Sequence, residues 1–342
     1  MNRPTIKDLA QEAGVSVSTV NRVLGGSDSV RNIIVQQVKE AAERIGYYGL
    51  GTIRSQIISR KPKLRFGFLL LQPNRILYKM LGSALQAASQ AIETHEIETQ
   101  IVFAEDLSPQ FVSAKLLELG QSCNSIGVVS AVHPLVTESI NKLDGMNIPV
   151  FGLISQLSTT GAINYVGLDN WKVGRQAAWS FHHFCRTPSK IGILVGNHRY
   201  RCQEMNEAGF RSYFREFATD FQLLEPVSTF ETSSIAEEMT EKLLQEHPDL
   251  AGLYVAGGGI TGAMNAIRTC GRSGKLFLLG HDLTEPMRAG LLDGTLTMAI
   301  AHPLQRMAEA TVSGMITAIK MGASAGNQTI VLPFDIYTRE NL

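Results

Sequence analysis

Two groups of residues in this chain are of types and at spacings that could do chemistry. The first lies in "TIKDLAQEAGVSVSTVNRVLGG", residues 5–26. Val17, Ser18 and Asn21 fall on one exposed face near the start of a short helical run. An amide such as Asn21 can pair with an adenine edge, a methyl-bearing side chain such as Val17 can touch a thymine methyl, and Arg22 can reach either a guanine or a phosphate. Thr5, Ser16 and Thr19 are of the type that positions backbone against phosphate. Together they supply the donor, acceptor and apolar groups that a DNA major groove presents to a reader. An ordinary helical hairpin is the plainer alternative.

The second group sits after apolar runs farther along. Gln72, Asn74, Arg75 and Tyr78 follow "FGFLLL"; Ser130 and His133 follow "GVVS"; Asp169, Asn170 and Trp171 follow "YVGLD". Asn197, Arg199 and Arg201 follow "GILVG", His281 and Asp282 follow "FLLG", and His302 follows "TMAIA". Carboxylates and amides exchange hydrogen bonds with hydroxyls, and aromatic faces pack on sugar CH groups. Asp169 or Asn170 is equally a helix cap. Gly257, Gly259 and Gly262 satisfy G-x-G-x-x-G, with Asp282 about 20 residues on, as a dinucleotide site would require. The same glycines also let a ligand approach backbone in a cleft. "GRSGKL" is no P-loop, because Thr269 and Leu276 replace the first glycine and the Ser/Thr. His182 and His183 are adjacent and point to different helix faces, and no catalytic residue or metal site is expected.

These side chains need elements to hold them. Ile6, Leu9, Ala10 and Ala13 recur at helical spacing behind a Thr5 cap, and Gly14 supports a tight turn. Ser16 caps a second helix, with Val20, Val23 and Leu24 turned inward, and small residues at 10 and 14 permit a close crossing. Ile33, Ile34, Val38, Ala41, Ala42 and Ile45 make a third helix closed by Gly46. The pattern is a helix-turn-helix completed to three helices. From Leu64 on, apolar runs alternate with amphipathic segments in two series, which means two parallel-sheet lobes covered on both faces with a cleft between them. Ligands in such sheets bind past the carboxyl ends of the strands.

Composition narrows the class. The 342 residues carry no net charge, yet residues 1–63 hold ten Lys/Arg and five Asp/Glu, leaving 21 basic and 26 acidic residues beyond. A basic head on an acidic body is the footprint of phosphate contact. Cys123, Cys185, Cys202 and Cys270 show no metal spacing, which points to a reduced, cytoplasmic setting. Lys7, Asp8 and Glu12 stand where a signal peptide would be apolar, and no apolar run approaches the roughly 20 residues of a membrane span.

The run at 5–26, then "VQQVKEAAERIGYY" and a linker with Ile and Arg, resembles the headpiece of the lactose/galactose-repressor (LacI/GalR) family. The body resembles that family's periplasmic-sugar-binding-protein-like clamshell. The resemblance implies a ligand-responsive transcriptional regulator, a homodimer on palindromic double-stranded operator DNA, an effector that is a sugar or polyol, no cofactor and no membrane. The alternative is a carbohydrate-binding protein or NAD-type enzyme with an incidental helical head. The domain expectation is a headpiece at 1–46, a hinge at 47–63 and an effector domain at 64–342. Its lobes would be 64–164 with 295–322, and 165–294 with 323–342. Ile53 and Ile57 share a helical face beside Arg54. In the family a leucine aligned with Ile57 wedges into the minor groove, and Ile58 takes that place if the register shifts by one. Gly49 and Gly51 predict that this hinge orders only on DNA. The family's Gly-x-Asp loop falls on Asp282, its polar residue before the next helix on His302, and its first-strand loop on Asn74 and Tyr78. Its ligand-gripping arginine falls on Asn206, a departure. Either Arg201 or Arg199 replaces that arginine, or the effector differs from an ordinary free sugar.

Overall fold

The computed structural model describes residues 3–27, 29–53, 61–161, 163–185 and 188–342. The chain divides into two compact units, 1–64 with 92–98 and 65–91 with 99–342.

The headpiece holds α1 (Ile6–Glu12), α2 (Val17–Leu24) and α3 (Asn32–Ile45). Thr5 and Asp8 form a reciprocal capping box on α1, and the Ser16 side chain accepts from the Thr19 N–H at the start of α2. Gly14 lies at φ +63°, and a Cβ there would meet only the Gln37 amide at 3.9 Å. Its backbone conformation, not a close helix crossing, therefore calls for glycine. Leu9, Val20, Val23 and Val38 form the sealed centre, and Arg44 Nε donates to Glu12 Oε1 at 2.7 Å between α3 and α1. The third helix differs from expectation at its start. Ile33 is 74% exposed, and Val35 is buried instead, because α3 begins at Asn32 and its inner stripe runs Val35, Val38, Ala41, Ala42. The headpiece also extends past residue 46. Tyr47 is 3% exposed, residues 50–53 make a further helical turn, and Ile53 is wholly buried in the same cluster as Leu9 and Val38.

The body continues with β1 (Lys63–Leu70), α4 (Ile76–Gln90), β2 (Glu96–Phe103), α5 (Pro109–Gly120), β3 (Ser125–Val128), α6 (Pro134–Gly145), β4 (Val150–Leu153) and β5 (Asn164–Leu168). Then come α7 (Asn170–Phe184), β6 (Lys190–Val195), α8 (Arg201–Phe217), β7 (Gln222–Leu223), β8 (Val227–Ser228), α9 (Ser233–Glu246), β9 (Leu250–Val255), α10 (Ile260–Thr269), β10 (Phe277–His281) and α11 (Glu285–Leu292). The chain ends with β11 (Met298–Ala301), α12 (Leu304–Met321), β12 (Thr329–Leu332) and β13 (Asp335–Tyr337). The first sheet runs β12-β5-β4-β3-β1-β2, and the second runs β13-β11-β10-β9-β6-β7 with β8 also on β6. Strands β3, β4, β5 and β11 are buried along their whole length, as parallel strands covered on both faces must be.

The lobe crossings fall later than the expected 164, 294 and 323. β5 pairs with β4 and β12 in the first sheet, β11 pairs with β10 in the second, and β13 lies antiparallel on β11. The chain therefore crosses between β5 and α7, between β11 and α12, and between β12 and β13. A strand's local pattern does not reveal which sheet supplies its hydrogen bonds. The short strands β7, β8, β12 and β13 carried too little apolar periodicity to stand out.

Candidate functional site

On α2 the buried and exposed faces separate cleanly. Val20 and Val23 are sealed, whereas Val17, Ser18, Asn21 and Arg22 are exposed, with Val17 at 40%. Ser16 Oγ lies 2.8 Å from both Ser18 Oγ and Thr19 Oγ1, so these hydroxyls also brace the turn. Thr5 N–H and Oγ1 each donate to Asp8 Oδ2 at 2.7 Å, and those bonds hold the Asp8 carboxyl below its ordinary value. Ile53 is not placed as a groove contact: its side chain fills the headpiece centre. Arg54 and Ile57, with the alternative Ile58, lie outside the described residues.

Between the lobes of the body lies a cavity of ≈ 540 Å³. Asn74, Tyr78, Asn170, Asn206, Asp282 and His302 all line it. They arrive from the β1 loop, α4, the starts of α7 and α8, and the ends of β10 and β11. Asp282 sits at φ +69°, a left-handed conformation that aspartate tolerates better than most residues. Its Oδ1 accepts from the His302 backbone N–H at 2.9 Å and lies 2.7 Å from His302 Nδ1. Burial pushes the Asp282 carboxyl up, but His302 outweighs it and holds the group below its usual value. The other ring nitrogen of His302 is Nε2. That nitrogen is buried and has no hydrogen-bond partner among the described residues. Behind it, Tyr254 Oη lies 2.9 Å from His281 Nε2, and burial pushes His281 down to about 4.

Asp169 is the cap of α7, accepting from Lys172 N–H at 3.1 Å. Asn170 is the cavity residue, donating to the Leu168 carbonyl at 3.3 Å. Asn206, with its amide nitrogen turned to donate, reaches the Asn170 carbonyl at 3.0 Å. This contact requires α7 and α8 to touch. Gly174 and Gly209 permit it, because a Cβ on either would strike backbone of the other helix, at Asn206 and Trp171 respectively.

Two expected residues do not line the cavity. Ser130 is buried, but its hydroxyl donates to the Ala131 carbonyl at 3.0 Å, and Val129 lines the space instead. Arg201 is exposed and borders a separate depression with Asp169 and Trp171. It is the first residue of α8, and Cys202, Gln203 and Asn206 occupy the cavity-facing side, so the helical turn of about 100° per residue carries Arg201 away. Arg199 is exposed too. The charged groups that enter beside Asp282 are Arg75 and Glu231, which pair across the lobes with side-chain exposures of 25% and 4%. Arg75 also lies over the Tyr78 ring, 5.2 Å from its centroid. Gln203 Nε2 donates to Glu231 Oε1 at 2.6 Å. A Cβ on Gly196 or Gly258 would collide with the Glu231 carboxylate, and one on Gly257 with the Gln203 amide oxygen. The glycine motif thus packs beneath this network, and a protein carboxylate fills the space where a pyrophosphate would approach. Arg75 stood in plain view at a strand end, but Glu231 follows the short strand β8 and had no sequence signal.

This geometry defines a two-lobed binding protein joined to a helix-turn-helix. Residues 5–49 match the family model "Bacterial regulatory proteins, lacI family", and residues 83–323 match "Periplasmic binding protein domain". The chain belongs to the periplasmic binding protein domain family over most of its length and carries a lacI-family DNA-binding domain at its head. It is 22% identical over 349 residues to the HTH-type transcriptional regulator GntR of Escherichia coli K12, covering 98% of this chain and 97% of that one. It is 24% identical over 252 residues to the sucrose operon repressor of Streptococcus mutans, covering 73% and 72%. A D-ribose/D-allose-binding protein of Pseudomonas aeruginosa is 27% identical over 163 residues, and this chain spans about half of it, 49%, through 46% of its own length. Among solved structures, a solute-binding protein from Burkholderia graminis in complex with D-arabinose has the same body fold, with TM-score 0.75, 16% identity, and coverage of 81% and 96%.

Proposed function

We propose that this chain is a ligand-responsive, sequence-specific transcriptional repressor whose effector is a sugar or polyol. One observation carries the reading. A single chain holds a capped helix-turn-helix with exposed Val17, Ser18, Asn21 and Arg22, and a two-lobed cavity lined by hydroxyl-binding groups. The relatives named as repressors supply the sense of regulation. In this reading α2 enters the major groove, Ser16 and Thr19 set its start against phosphate, and Arg54 with Ile57 follows into the minor groove. Two copies act on a palindromic site in the cytoplasm. In the cavity, Asn74, Asn170, Asn206, Asp282 and His302 exchange hydrogen bonds with ligand hydroxyls, and Tyr78 packs on its apolar face. A ligand that prefers one lobe arrangement shifts the population of DNA-competent protein by the ratio of its affinities for the two states. A carbohydrate-binding protein or an NAD-type enzyme would leave the capped reader face without a role.

Selection from a random double-stranded DNA pool tests this reading. The expected outcome is an enriched inverted repeat, whose complex is weakened or strengthened by one member of a sugar and polyol panel. Recovery of no preferred sequence refutes it.

A further inference from the structure

The cavity has an unusual charge arrangement. Arg75 is the one permanently cationic side chain lining it among the described residues. An arginine in such a place is the natural partner for a ligand carboxylate or phosphate, because its planar fork matches two oxygens at once. Here that charge is already engaged by Glu231, from the opposite lobe. The carboxylate is no loose surface group. It accepts from Gln203 Nε2 at 2.6 Å and from the Gly258 N–H at 3.4 Å. Gly196 and Gly258 leave room for it that any side chain would take away. The backbone turns through φ +50° at Phe230 and +62° at Glu231 to deliver it. Two consecutive non-glycine residues in the left-handed region are costly, and such strain persists only where surroundings hold it. The second carboxylate, Asp282, is likewise engaged by His302.

We propose that Glu231 is a specificity-determining residue that acts as a charge filter: by holding Arg75, it makes the cavity refuse anionic ligands and admit neutral hydroxyl-bearing ones. This deepens the reading of the cavity as the effector site and rests on it. An entering sugar acid or sugar phosphate would meet two anchored carboxylates and an arginine already paired. A neutral polyol needs no counter-ion, so the paired charges do not oppose its entry. Glu231 is thus the negative element that rejects a competing ligand class, and the paired Arg75 retains its remaining N–H donors for hydroxyls.

The filter can be removed without knowing the effector. Glu231→Gln keeps the shape and deletes the charge. Glu231→Gly deletes the charge as well and relieves the positive φ, so it serves as a second variant with a different effect on the backbone. The probe is inorganic phosphate, titrated at constant ionic strength into the full chain by calorimetry. Either variant should bind phosphate at least tenfold more tightly than the wild type, and adding Arg75→Gln should abolish the gain. No gain in both variants, a gain that survives Arg75→Gln, or Arg75-dependent phosphate binding by the wild type would overturn the proposal. Because the readout involves neither DNA nor effector, failure of the repressor reading leaves this comparison standing.

Discussion

Replacing Ile53 by alanine separates two roles that one residue cannot combine. Ile53 is 0% exposed and shares the headpiece cluster with Leu9, Val23 and Val38. Truncating a buried isoleucine to alanine costs about 2–5 kcal/mol, through lost transfer energy and the cavity left behind. The described headpiece ends at residue 53. At roughly 0.05–0.15 kcal/mol per residue, such a domain has about 3–8 kcal/mol in total. The substitution therefore removes a large fraction of it, and in the worst case all. Amide hydrogen exchange reads this directly. Protection at Val20, Val23 and Val38 should fall by a factor of about 30 or more, the equivalent of 2 kcal/mol, while Phe68 and Val128 in the body keep theirs. Ile53→Val should lose only about 0.5–1.5 kcal/mol. Unchanged headpiece protection in Ile53→Ala, with DNA affinity alone reduced, would mean that Ile53 reaches the groove and that the packing argument is wrong.

Three further outcomes are expected. Substituting Val17 or Ser18 should change which operator is preferred in a selection experiment, and uniformly weaker binding to every sequence would remove them as readers. Gly174→Ala should push α7 from α8, destabilise the body by about 1–3 kcal/mol in urea unfolding and weaken effector binding through Asn206; an unchanged midpoint would show that the two helices yield freely. His281 is held neutral, its value lowered from 6.5 to about 4 chiefly by burial. Below pH 6.5 the unfolded chain therefore binds the extra proton, so stability is full above 6.5 and falls at up to about 1.4 kcal/mol per pH unit toward pH 4. His281→Gln should flatten that window, and identical slopes in both proteins would refute the assignment.

Much of the headpiece is legible in the sequence because its causes are local. Thr5 with Asp8, Ser16 with Thr19, and Gly14 with its positive φ act within three or four residues, the range over which a cap or turn is decided. The parallel-sheet character of the body is legible for a similar reason, since strands buried on both faces read as continuous apolar runs. Asn74, Tyr78, Asp282 and His302 could be found because strand ends in such sheets converge on one cleft. The tertiary structure decided what depends on distant partners. It assigned β5 and β12 to the first sheet and β11 to the second. It closed Ile53 into the headpiece, turned Arg201 outward, and joined Arg75 to Glu231 across 156 positions of sequence. A helix cap is set by neighbours along the chain, whereas a buried charge is settled by whichever opposite group the fold brings within hydrogen-bond reach. No pattern of residue types states that distance, and in this cavity it determines which cation is already paired.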